Sequence, residues 1–327
     1  MEQIKLKNKK EYEQGVACAI LCAVLWGFLP IYWKRLEPID PLLILFCRIV
    51  LSFLFALVLA LYFYRWDGIV RPLKEKGIIP TFFFAGILIS FNWGTYIWAI
   101  ANGHVIQTCI GYYIEPLFVC IFGILFFKER MSRYKLAAFL LACAGVFVIL
   151  IYYHEIPVIA LSLGLSFAVY TAIKKKVKLD AVLSLLYETM MLVPVALIAT
   201  LYLAGKGAAA GAGLFQWGLL ALAGILTGTP LMLFAMAANR IPMITLGIIE
   251  YISPSITLLL GIFLFKEPFE LVRLITFGMI WIGLVIFTIG EIRESKAAGS
   301  EPIINESKAA ESEPVVKERG VETDEQI

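Results

Sequence analysis

Apolar positions along this chain come in long unbroken runs separated by short polar stretches. A membrane-spanning helix needs about 20 predominantly apolar residues. Ten runs approach or reach that length: 16–33, 41–63, 78–101, 105–127, 134–152, 157–173, 181–203, 214–237, 243–265 and 271–290. Runs one and six are the shortest. Barrel strands would alternate in polarity, so continuous runs predict helices. The expected fold is all-α and integral to a membrane, with ten transmembrane helices.

The polar stretches between the runs set an orientation. Lysine and arginine concentrate on the cytoplasmic side of membrane proteins. With the N-terminus inside, the inner stretches hold Lys5, Lys7, Lys9 and Lys10, then Arg65, Arg71, Lys74 and Lys76. They continue with Lys128, Arg130, Arg133 and Lys135, then Lys174, Lys175, Lys176 and Lys178, and Arg240. The outer stretches hold Lys34, Arg35, Lys206, Lys266 and Arg273. Both termini are therefore expected in the cytoplasm.

One stretch occurs twice. Residues 113–129 read YIEPLFVCIFGILFFKE and residues 251–267 read YISPSITLLLGIFLFKE. At a constant offset of 138 residues, Tyr113 matches Tyr251, Pro116 matches Pro254, Gly123 matches Gly261 and Gly145 matches Gly283. Such a duplication in a membrane chain points to two fused halves, an architecture typical of transporters. An odd number of spans in each half requires the second half to enter the membrane from the opposite side. Charge agrees, because the first FKE corner is followed by Arg130 and Arg133 and the second by Pro268 and Glu270. The expected organisation is a basic N-tail (1–14), a first five-helix half (15–153), a second half of inverted topology (154–290) and an acidic tail (291–327). The tail repeats ESKAAGSEPIIN as ESKAAESEPVVK, lacks aromatic residues, and is expected to be disordered and cytoplasmic.

Composition narrows the class further. The chain is 61% hydrophobic and 16% charged, where soluble domains are about half apolar and a quarter charged. Its mean hydropathy is +0.86. All six cysteines fall inside apolar runs, only His104 and His154 occur, and no CxxC or HExxH spacing is present. No metal site and no other cofactor are expected. The basic flank of run one lacks a small-residue cleavage site, so that run reads as the first helix and not as a signal peptide. No GxxxxGK[ST] loop occurs, so nucleotide hydrolysis within this chain is not the expected driving force.

Ionisable side chains inside apolar runs mark functional positions, because they face a protein interior or an aqueous cavity. Four stand out: Arg48, Glu115, Glu188 and Glu250. Arg48 suits a carboxylate or another anionic group, or a buried structural ion pair. Glu188 has the alternative of reaching towards the inner interface. Glu115 and Glu250 each lie close to a repeated proline, Pro116 or Pro254. Proline leaves a backbone carbonyl unbonded and kinks a helix. A carboxylate there suits proton or cation handling, or forms a polar cavity wall. Asn92, Trp93, Tyr96, Trp98 and Asn102, with Tyr112, Tyr113, Ser166, Tyr170, Thr171 and Tyr251, offer aromatic and amide surface to a flat organic solute. Packing and interfacial anchoring are the alternative roles for each aromatic.

SFNWGTYIWAIANGH (90–104), IGYYIEPLFVCIFGILFFKERMSRYKL (110–136), LSFAVYTAIKKK (165–176), LYETMMLVP (186–194) and LGIIEYISPS (246–255) together resemble the RarD-type permeases, of the EamA group of the drug/metabolite transporter superfamily. The resemblance covers about residues 15–290. It implies ten helices in two inverted halves, a central cavity, alternating access and a bacterial cytoplasmic membrane. The matched positions are Trp26, Gly27, Arg48, Asn92, Trp93, Trp98, Asn102, Tyr112, Tyr113, Pro116, Tyr170, Glu188, Tyr251 and Pro254. Glu115 and Glu250 depart from the pattern, which carries amides there. Two acids in place of two amides favour a cationic substrate or tighter proton coupling. The expected function is secondary active transport of a small organic solute, with protons as candidate partners and no nucleic-acid partner. A membrane ligand sensor and an intramembrane enzyme are the alternatives.

Overall fold

The structure, a computed structural model, describes residues 2–154, 157–266 and 270–300. Ten helical segments are long and apolar enough to cross a membrane. They are carried by α1 (Glu2–Arg35), α2 (Pro41–Phe63), α4 (Ile78–Ala101), α5 (Val105–Phe127), α6 (Arg133–Tyr153), α7 (Val158–Lys176), α8 (Ala181–Gly205), the broken span α9 (Leu214–Ala221) and α10 (Ala223–Arg240), the broken span α11 (Met243–Glu250) and α12 (Ile252–Phe263), and α13 (Leu271–Ser300). A short α3 (Trp66–Val70) and a 3₁₀ turn (Pro72–Lys74) connect α2 to α4. No strand occurs among the described residues. The protein is all-α, and its ten spans match the ten apolar runs.

Helix starts follow local chemistry. Asp40 accepts from the amides of Leu42 and Leu43 and so caps α2; Asp180 accepts from Val182 and caps α8. Helix α1 begins at Glu2 and takes in the basic N-terminal stretch. Helix α13 continues to Ser300, past the boundary that composition places at Glu291. Both extensions are rich in Lys, Glu, Arg or Ala, which favour helix even without a core to pack on. Residues 301–327 lie outside the described residues. Among the described residues, those up to Phe287 form one compact unit and those from Thr288 to Ser300 belong to a second.

Within the first unit the principal packing is between the two sequence halves. Helix α1 packs on α10 and α12, α2 on α8 and α10, α4 on α7 and α8, and α5 on α7 and α11. Helices α6 and α13 meet through the repeated glycines. A Cβ on Gly145 would come within 3.1 Å of the Thr276 carbonyl oxygen, and one on Gly283 within 3.2 Å of the Ala138 carbonyl oxygen. The Thr276 hydroxyl also donates to the Gly145 carbonyl at 3.1 Å. These pairs run in opposite chain directions, so α6 and α13 pack antiparallel. Lys128 and Lys266, at matching places in the repeat, both adopt a left-handed backbone with φ 53°. Glu267, the second FKE glutamate, lies outside the described residues.

Candidate functional site

Arg48 lies about 10 Å along α2 from its N-terminus, inside an otherwise apolar span. Its guanidinium carbon sits 3.8 Å from the Trp93 ring centroid and 5.5 Å from that of Trp33. Cation–π contact on two indoles offsets part of the lost hydration. The Nε atom is buried with no hydrogen-bond partner, while the side chain as a whole is only half-buried. Among the described residues no carboxylate forms an ion pair with Arg48; the nearest groups in its field are the Tyr96 and Tyr112 hydroxyls. Those two tyrosines meet edge to face at 5.5 Å and share a side-chain hydrogen bond. Trp93 is held in place by its neighbour. Asn92 is buried and donates to the Leu163 carbonyl at 2.8 Å and the Ser166 hydroxyl at 3.0 Å, tying α4 to α7.

One helical turn beyond Tyr112 on α5 is Glu115, partly exposed. Glu250 interacts electrostatically with it. Glu250 is 6% exposed, and neither carboxylate oxygen has a hydrogen-bond partner. It is the last residue of α11. Tyr251 (φ −59°, ψ −15°) interrupts the span there, and Pro254 follows in the first turn of α12. Pro116, by contrast, sits within an α5 that runs unbroken from Val105 to Phe127. Arg48, Trp93, Tyr96 and Glu115 are partly exposed and Tyr112 is exposed, so polar and aromatic groups of α2, α4 and α5 are open to a ligand here. This cluster is the candidate binding cleft. A small enclosed void beside it, lined by Leu117, Ile248, Tyr251 and Ile280, is apolar and holds none of the charged groups.

Towards the ends of α7 and α10 the interior is closed. Trp26, Phe167 and Phe234 converge with ring centroids 5.3 to 5.9 Å apart, and Tyr170 stacks on Phe234 at 6.1 Å. Next come Lys174 and Glu188, 4% and 1% exposed, joined as an ion pair. Ser184 accepts from the Lys174 ammonium at 2.8 Å, and the Tyr170 hydroxyl lies 3.5 Å from Glu188. The seam continues with Glu129, whose two oxygens accept from the amides of Met243 and Ile244 at 2.9 and 3.0 Å and cap α11. Lys175 reaches the Ile241 carbonyl and stands 3.9 Å from Glu129.

The sequence-derived candidates therefore divide. Arg48, Trp93, Tyr112 and Glu115 line the cleft, with Glu250 at its base. Asn92 positions Trp93. Tyr170 and Glu188 belong to the closed seam instead of the cleft, because Lys174 neutralises Glu188 there. Tyr113 is packed edge-on against Phe277, and its carbonyl accepts from the Tyr251 hydroxyl at 2.8 Å, which occupies both residues structurally. Trp98 is half exposed and stacks on His104 at the end of α4. Two cleft aromatics deserve adding: Trp33 went unremarked and Tyr96 was one of many. Both are signalled only by lying opposite Arg48 across helices, which spacing along one helix does not reveal.

The model of the EamA-like transporter family matches residues 13–151. The chain is 40% identical over 293 residues to the uncharacterized transporter YojE of Bacillus subtilis (strain 168), spanning 89% of this chain and 98% of that protein. It is 34% identical over 291 residues to the protein RarD of Escherichia coli (strain K12), covering 88% and 98% respectively. The chain belongs to the EamA-like transporter family. EamA-like membership and ten apolar spans make it a multi-pass protein of a bacterial cytoplasmic membrane, in a family of transporters. A solved structure, the crystal structure of a protein, shares this fold with a TM-score of 0.66, at 14% identity over 84% of this chain and 97% of that one.

Proposed function

We propose that the protein is a proton-coupled secondary transporter of a small organic solute, working by alternating access between two halves of inverted topology. The packing supports the inverted halves. Each major contact has a counterpart with the halves exchanged: α1 on α10 matches α7 on α4, α1 on α12 matches α7 on α5, and α2 on α10 matches α8 on α4. The antiparallel α6–α13 contact between Gly145 and Thr276, and between Ala138 and Gly283, follows the same exchange. Broken spans near the midplane are where transporters place their sites, and Glu250 ends one.

Glu250 carries the reading of proton coupling. It is a buried carboxylate whose oxygens have no hydrogen-bond partner, and it interacts electrostatically with a second acid, Glu115. A proton arriving through the cleft binds there and removes the negative charge. The neutral carboxyl is then exposed to the other side as the helices rock, and the proton leaves there. Solute occupying the cleft above it moves in the same cycle.

The test uses the full chain in proteoliposomes loaded with pyranine. A pool of bacterial metabolites added outside is expected to change the lumenal pH. Glu250→Gln should abolish that change while retaining solute exchange between the two sides. A wild-type protein that exchanges solute with no pH change, or a Gln variant that still moves protons, refutes the coupling.

A further inference from the structure

We propose that Arg48, clasped by Trp93 and Trp33, is a recognition site for organic monocarboxylates that carry a flat conjugated group. This rests on the transporter reading and names the class of solute it takes. The ion pairs of the described interior join Lys174 to Glu188 and Lys175 to Glu129; Arg48 enters none. A guanidinium within an apolar span calls for an anion, and among the described residues no carboxylate forms an ion pair with it.

The geometry selects which anion. Trp93 lies against the guanidinium at 3.8 Å, and the Arg48 side chain remains partly exposed. Guanidinium and carboxylate match as planar forks, with two parallel N–H donors meeting two oxygens. The Tyr96 and Tyr112 hydroxyls stand within the same charge field and complete a polar rim. The partly exposed indoles of Trp33 and Trp93 beside the guanidinium offer aromatic surface against which a conjugated ring can pack. Further along the cleft stand two acids, Glu115 and Glu250. A second negative charge on the solute would meet them, so a single carboxylate is favoured over a dianion. A phosphate from a lipid headgroup shares the oxyanion chemistry, and the experiment separates it from a free solute.

The purified full chain in neutral detergent is titrated with benzoate, indole-3-acetate, cyclohexanecarboxylate, benzamide and dodecyl phosphate, read by thermal shift and indole fluorescence. The two aromatic carboxylates are expected to stabilise the protein at concentrations where benzamide does not. Arg48→Gln should weaken them by about 10–100-fold, as expected for loss of a hydrogen bond to a charged group. Arg48→Lys should keep part of the affinity, having charge without the fork. Trp93→Leu should erase the preference for benzoate over cyclohexanecarboxylate. Arg130→Gln, an exposed charge elsewhere, should leave every titration unchanged. Equal protection by benzamide, an unchanged benzoate response in Arg48→Gln, or a response confined to dodecyl phosphate overturns the proposal. Should Arg48→Gln fail to fold, Arg48→Lys decides, because an unchanged affinity there excludes a bidentate contact. Carboxylate binding with no transport defeats the transporter reading alone; transport indifferent to Arg48 defeats this proposal alone.

Discussion

Lys174 and Glu188 hold opposite charges almost wholly inside the protein. Each alone would be strongly unfavourable there, and their value to the fold lies in being paired. Removing one partner of a buried pair typically costs about 3–5 kcal/mol, since the other charge is left unsatisfied. Lys174→Ala should lower stability by that amount, measured by denaturant unfolding in bicelles. The double variant Lys174→Met with Glu188→Met should be closer to wild type than either single change, because both charges leave together. The pair also shows where sequence reading stops at this scale. Lys174 stands in a KKK run and reads as an ordinary cytoplasmic charge. Its burial depends on α7 and α8 folding back on each other, which places Glu188 opposite. By contrast Arg48, Glu115 and Glu250 were legible, because a charge within an apolar run is informative without any partner.

At the level of helices, the FKE corner acquires a physical role. Lys128 takes a left-handed backbone that ends α5, and Glu129 then reaches across to the buried first-turn amides of α11, which lack partners within the helix. The motif couples the end of one helix to the beginning of another in the opposite half. Glu129→Ala should destabilise the protein by about 0.5–2 kcal/mol, the usual effect of losing an N-cap. It should also loosen the seam, so that a cysteine placed at Thr245 reacts faster with a soluble maleimide when Glu129 is absent. An unchanged reaction rate would show that the cap does not hold the seam. The spans themselves were plain from hydropathy, whereas the breaks at Leu222 and Tyr251 were not. No proline or charge adjoins Leu222, and Pro116 and Pro230, each inside a continuous helix, show that proline alone does not interrupt a span. Pairing across helices decides where such a break falls.

For the molecule as a whole, the proposed inverted halves place Lys128 and Lys266 on opposite sides of the bilayer. Single cysteines at the two positions, in intact cells, give the measurement. A membrane-impermeant maleimide should label the Lys266 position and leave the Lys128 position unmodified until the membrane is opened. Labelling at Lys128 alone would reverse the orientation, and labelling at both would remove the inversion. The duplication was legible because the two copies keep the same turn and glycine chemistry; the closeness with which the halves interlock was not, since every contact involved lies between distant segments.

The glycine contacts between α6 and α13 carry one more implication. Gly145 receives the neighbourhood of Thr276, and Gly283 receives that of Ala138, so each half presents both the notch and the ridge that fills the other's notch. A surface built that way is complementary to a flipped copy of itself. A chain of half this length, carrying one such face, would already hold what it needs to pair with a sibling inserted upside down.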